Sequence, residues 1–312
     1  MNFMNSSNHN QYFLNFFVIL FFSLLPVSII LGNLAININI ILIDLSLILY
    51  SVLFNDWKWT KTKLFKSLIL IQIYLVFSSI YSIIFKFDHQ YIYESLYRSL
   101  GFIKYVILVF SFSLIHKLKI KLDFIIKIWS IIVIITIFDV FFEKIFGHNI
   151  FGFISPNHNR IISFFKDEMV VGAFLLTFGL IVSTYFIDQK NPKIIYKILF
   201  NILIVLLPIS IFISGERSNF IKAFIVFSIL LTFIPKDKFF INKKKSILAV
   251  FFGLILLFNF NDDIRFKQTE FFSRILVSNN ENSKDLFENI IYFTHYDVAW
   301  KIFKDNPLIG IG

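Results

Sequence analysis

Cysteine is absent from all 312 residues, which excludes disulfides and cysteine-ligated metal sites. In a chain so rich in Phe, Ile, Asn and Lys, a pattern an AT-biased genome would write, that absence says little about compartment. Charge is scarce too: 16% of residues are charged, against 57% hydrophobic and 19% aromatic, with a mean hydropathy of +0.76. Soluble domains are apolar over about half of their length, so this balance marks a polytopic membrane protein. Chemical motifs are missing as well. His148 and His158 share one stretch, but no His-Glu-x-x-His or comparable ligand spacing occurs, so no metal is expected. There is no Gly-x-Ser-x-Gly elbow and no thiol for acyl transfer, and no Walker-type loop for ATP. No cofactor is expected.

The net charge of +10 does not point to nucleic acid. Lys58, Lys61, Lys63 and Lys66, like Lys243, Lys244 and Lys245, sit in short linkers between apolar runs, where they set membrane orientation. No basic face interleaved with stacking aromatics is present. The first eleven residues are polar and hold no Lys or Arg, unlike the basic start of a signal peptide, so the first apolar run reads as a retained span. A helix needs about 20 apolar residues to cross about 30 Å of hydrocarbon. Nine segments meet that need, some of them only loosely: 12–31, 34–54, 64–85, 99–115, 124–142, 170–187, 198–213, 220–234 and 246–258. They lack the alternation of barrel strands, and a backbone in lipid must pair its own polar groups, so the fold class is all-α. Basic linkers recur at every second connection, which predicts a cytoplasmic amino terminus and an outward face for the stretches 143–169, 214–219 and the tail. The expected division is a transmembrane domain over 1–258 and an outward segment over 259–312.

Two charged islands fall on that outward face. The first, 157–172, holds Arg160, Lys166, Asp167 and Glu168, which read either as a functional cluster or as a solvated loop capping the next helix. The second, Ser-Gly-Glu-Arg-Ser-Asn over 214–219, reads as a tight turn in which Glu216 pairs with Arg217 and the glycine permits close approach of a ligand. An anion there would also meet the amino end of the helix beginning near Asn219. Lys dominates the inward linkers while Arg160, Arg217, Arg265 and Arg274 fall outside, and a planar guanidinium grips phosphate in a way an ammonium does not. His295 precedes an amphipathic pattern and reads as a base, a phosphate donor, or a capping or packing residue. Asp44 and Asp139 are intramembrane acids; Asp139 has an outer arginine as its expected partner, and Asp44 has none.

In order, the segment from Arg160 to Gly172, the turn from Ser214 to Arg217 and the stretch from His295 through Asn306-Pro-Leu-Ile-Gly-Ile-Gly312 resemble the O-antigen ligase and polymerase superfamily of bacterial inner-membrane glycan transferases. The resemblance covers about the second half of the chain. It implies a GT-C-like helical bundle that moves a glycan from an undecaprenyl diphosphate carrier to an acceptor sugar, on lipid A-core or a growing polysaccharide, at the periplasmic face. It implies no nucleotide sugar and no metal. Arg160 and Arg217, with Arg265, would hold the diphosphate and stabilise the leaving group, supported by Glu168, Gly172, Glu216 and His295. The family's catalytic histidine lies beyond its Gly-x-Gly, so the base is expected after Gly312 and His295 does not match it. On that comparison the chain is expected to be a C-terminally truncated piece, with activity residing in a longer parent. The alternatives are a flippase or other transporter of the same lipid-linked glycan, and an inactive membrane protein.

Overall fold

The computed structural model describes residues 2–85, 92–156, 160–166, 168, 170–188, 193–235, 239, 243–260, 291–305 and 307. Among them all regular structure is helical: α1 (Asn2–Ile30), α2 (Asn33–Leu53), α3 (Lys63–Phe85), α4 (Ile92–Gly101), α5 (Ile103–Ser111), α6 (Ser113–Lys117), α7 (Leu122–Phe146), α8 (Val171–Asp188), α9 (Ile194–Ile213), α10 (Arg217–Phe233), α11 (Lys243–Phe260) and α12 (Ile291–Asp305). Short 3-10 turns occur at Lys58–Lys61 and Ser163–Phe165. The protein is all-α and membrane-embedded. Seven helical stretches among the described residues are long and apolar enough to cross a bilayer, from Gln11–Ile30 to Ile194–Ile213. α10 is a shorter apolar helix, and α11 has 18 residues.

The fourth of these stretches departs from the sequence reading. The span was expected to begin at residue 99, whereas helix begins at Ile92 and the apolar stretch spans Tyr93–Lys117. Glu94 and Arg98 stand one turn apart and form an ion pair, so two charges that looked like loop are compatible with helix. The same stretch is broken at Phe102 and Phe112 into α4, α5 and α6. At the first break the Ser99 carbonyl accepts from Gln72 Nε2 at 2.8 Å.

Two compact units divide the chain: one of Met1–Phe21, Asn37–Ile120 and Glu270–Gly312, the other of Phe22–Ile36 and Lys121–Thr269. In the first unit α2 and α5 share a polar seam at seven-residue intervals. Lys104 Nζ donates to Asn37 Oδ1 at 2.6 Å, and seven residues on in both helices Ser111 Oγ lies 3.1 Å from Asp44 Oδ1. Equal steps in one sense mean that the two helices run parallel, as a second and a fourth span must. Beyond the end of α2, Lys117 pairs with Asp56 at 3.0 Å and lies over the Tyr50 ring. That ammonium holds the Asp56 carboxyl below the usual carboxylate range. Trp59 closes the same end, donating to Ser51 Oγ at 2.9 Å and packing on Phe65 and Phe110. α3 leaves Leu70, Ile73 and Phe77 exposed, which hydrocarbon tolerates and water does not.

In the second unit α9 is central, packing against α7, α8, α10 and α11. Phe200, Leu203, Ile204, Leu207 and Ile211 are buried along its length. Trp129 of α7 settles another backbone debt. Pro26 has no N–H to offer the carbonyl one turn back, and the Phe22 carbonyl accepts instead from Trp129 Nε1 at 3.0 Å. α8 meets α9 closely at Gly179, where an added Cβ would stand 2.5 and 2.7 Å from the Leu207 methyls. We therefore expect Gly179→Ala to destabilise the protein by about 1–3 kcal/mol through overpacking. A lower melting temperature in detergent, recovered in part by adding Leu207→Ala, checks this; a wild-type melt would refute the close contact.

Candidate functional site

The ends of α7, α8, α9 and α10 and the loops joining them form one polar assembly in the second unit. Its base is α7. Asp139 and Glu143 lie one turn apart near the end of that helix, and both are buried, at 0% and 5% exposure. A dry carboxylate needs hydrogen bonds or a cation. Here the donors come from the loop that follows. α7 stops at Gly147, whose φ of 78° suits glycine, and its N–H donates to the Glu143 carbonyl at 2.9 Å. The chain then folds back over the two acids. Ile150 N donates to Asp139 Oδ1 at 2.8 Å and Ser163 Oγ donates to Oδ2. Ile162 N and Ser163 N donate to the Glu143 carboxylate at 3.2 and 2.6 Å.

Asn149 locks the loop from inside. Its amide donates to the Ser163 carbonyl and accepts from Phe153 N at 2.8 Å, and both Asn149 and Ser163 are fully buried. Ser163 is held at φ +48° and Lys166 at φ +54°, conformations that side chains rarely adopt without such constraint. Below this point Phe165 packs on Phe174, Phe174 on Phe178 and Phe178 on Trp129, joining the loop to α8 and α7. Asp139 is held here by a backbone N–H and a hydroxyl; the side chains of Arg217, Arg265 and Arg274, candidates for its expected arginine partner, lie outside the described residues.

The second island is a turn. Ser214 is fully buried, Gly215 takes φ +79°, and α10 begins at Arg217 rather than near Asn219. Glu216 points across to α8, where its carboxylate accepts from Gly172 N at 2.6 Å and Ala173 N at 3.3 Å. Asn219 Nδ2 donates to the same carboxylate. These are free amino-terminal N–H groups of α8, and an acid there also meets the positive end of the helix dipole. The cap of α8 is therefore supplied from 44 residues downstream. Gly172 leaves room for it: an added Cβ would stand 3.0 Å from Glu216 Cδ, Glu216 Oε2 and Ser214 Oγ. Glu168, one of the four loop charges read together as a cluster or a cap, accepts from Asn33 Nδ2 at 3.2 Å.

The two islands touch. Ile161 N donates to the Ser214 carbonyl at 3.3 Å, so Arg160, which is exposed, stands one residue from a direct link to the turn that precedes Arg217. Of the residues singled out in the sequence, Arg160, Glu168, Gly172 and Glu216 belong to this assembly. Arg217 contributes its backbone as the first residue of α10; its side chain and its expected pairing with Glu216 lie outside the described residues, as do Arg265, Arg274 and Asp167. His295 lies within α12 rather than before it, is exposed, and belongs to the first unit. Most of the Asn306 to Gly312 stretch also lies outside the described residues. Asn149, Ser163 and Glu143 were not singled out; Glu143 was legible as an acid ending an apolar run, whereas Asn149 and Ser163 carry no signal without the fold.

Chemically, the assembly is a rigid platform of two buried acids that fixes the backbone of residues 161–163, beside a carboxylate-capped helix start. Among the described residues no group of three or more His, Cys, Asp or Glu is placed to hold a metal ion. No protein-family model matches the chain, and comparison with curated proteins and with solved structures returns no match.

Proposed function

We propose that the chain is a membrane glycan transferase of the O-antigen ligase and polymerase type, taking a glycan from an undecaprenyl diphosphate carrier to an acceptor sugar at the outer face of the bacterial inner membrane. In this reading it has about nine spans in a GT-C-like bundle, with its amino terminus in the cytoplasm. The observation that supports it is the link from Ile161 to Ser214, which sets two arginine-bearing segments side by side at helix ends. Arg160 and Arg217 then bind the diphosphate and stabilise the charge that develops on it as the glycosidic bond breaks. Glu216 and Gly172 shape the turn, and no residue of 1–312 is assigned as the base. A transporter of the same lipid is the second reading, favoured by Asp44 and Lys104 within apolar helices.

Because the chain has no cysteine, sidedness is directly testable. Arg160→Cys and Arg217→Cys should both react with a membrane-impermeant maleimide added outside. Labelling on opposite sides would end the proposal. In proteoliposomes, Arg160→Ala and Arg217→Ala should each weaken binding of undecaprenyl diphosphate about tenfold or more, equivalent to ~1.4 kcal/mol. A glycan-transfer assay with the lipid-linked donor separates the readings: product formed by wild type and lost in both variants supports a transferase, and flipping without product supports the transporter.

A further inference from the structure

The Asp44–Ser111 pair in the α2–α5 seam is built for a ligand that the glycan site does not use. Asp44 lies mid-way along a 21-residue apolar helix and is 5% exposed; Ser111 is 0% exposed. Among the described residues Ser111 is the one polar partner of the Asp44 carboxyl. No cation faces it. α2 carries no other charged residue between 33 and 53, and the described side chains of α1, which packs on α2 through Asn39 and the Phe21 carbonyl, carry no charge. On the partner helices Lys104 is two turns away and held by Asn37, while Lys117 is taken by Asp56 and His116 lies beyond Phe112. An intramembrane acid without a counter-ion is a functional site by default.

Hydrogen-bond counting names the ligand. Ser111 Oγ stands 3.1 Å from Asp44 Oδ1 and 3.2 Å from the Ile107 carbonyl. A hydroxyl has one proton and donates fully to one acceptor. Both contacts are satisfied together when Asp44 itself carries a proton and donates to Ser111, which then donates to Ile107. We propose that Asp44 is a proton-binding site at the centre of this seam. On deprotonation the Ser111 hydroxyl turns from Ile107 to the new carboxylate, at the last residue of α5, next to the break at Phe112. The proton leaves to solvent and no other group changes. One carboxyl, one hydroxyl and one carbonyl fall short of the oxygen shell that a hard metal cation takes. The site therefore selects a proton.

Infrared spectroscopy of the full chain in proteoliposomes tests this without any need for a reagent to reach the site. At neutral pH the spectrum should contain the C=O stretch of a protonated carboxylic acid that disappears in Asp44→Asn and is regained in Asp44→Glu. Ser111→Ala should shift that band by removing its hydrogen-bond acceptor. Alkaline titration should abolish the band reversibly. Identical spectra for wild type and Asp44→Asn would overturn the proposal, and so would loss of the band on adding sodium at fixed pH, which would make the ligand a metal cation.

Discussion

Glu216→Ala should be the most damaging single substitution in the second unit. It removes a buried carboxylate that accepts from Gly172 N, Ala173 N and the Asn219 amide. Two backbone N–H groups at the start of α8 are then left without an acceptor, at ~1–3 kcal/mol each, and the charge facing the helix dipole is lost as well. The sum is about 3 kcal/mol or more, read as a fall of ~6 °C or more in melting temperature for a chain of this size. Glu216→Gln should lose less than half as much, because one oxygen still serves Gly172 while the amide opposes Ala173, and Asn219 can present its own oxygen. Gly172→Ala should act in the same direction, since its methyl forces the carboxylate away from contacts at 3.0 Å. The check is a thermal melt of purified protein in detergent across the three variants. Wild-type melting of Glu216→Ala would mean that solvent caps α8 equally well.

That interaction also marks how far the sequence can be read. The apolar helices were legible because hydropathy and length are local properties that a bilayer enforces, and most helix ends moved by only a few residues, the starts of α1 at Asn2 and α4 at Ile92 being larger shifts. The 92–101 segment was misread because the Glu94–Arg98 pair makes charge compatible with helix. The polar contacts were legible only by half. Pro26 announces a freed carbonyl at Phe22, but nothing local announces Trp129 as its donor. Asp139 stood out as an acid in an apolar run, yet its partners lie 11 and 24 residues further on. The charges of 160–168 precede α8 directly, yet its cap comes from Glu216, which the turn at Gly215 brings close in space. Side-chain-to-backbone bonds of this kind follow from packing, and a single chain does not encode them as a pattern.

Glu143 carries the second large effect, and it bears on the site rather than on the bundle. Its carboxylate holds Ile162 N and Ser163 N, while Asp139 holds Ile150 N and the Ser163 hydroxyl. Two acids one turn apart repel each other, so their burial is favourable only while those four donors stay in place. Glu143→Ala leaves two donors unsatisfied, at ~1–3 kcal/mol each, and relieves the repulsion on Asp139 by a smaller amount. Ser163, held at φ +48°, is then free to relax out of the left-handed region, and residues 161–163 lose their register against Ser214. The helices should remain, because α7 keeps its buried face of Trp129, Val133, Ile137 and Val140. The expected result is therefore faster limited proteolysis confined to residues 148–166, with helicity unchanged by circular dichroism. If Arg160 binds the lipid diphosphate, Glu143→Ala should also weaken that binding, and adding Arg160→Ala to it should cost no more than Arg160→Ala alone. Additive losses would separate the two residues and leave Glu143 as a structural acid only.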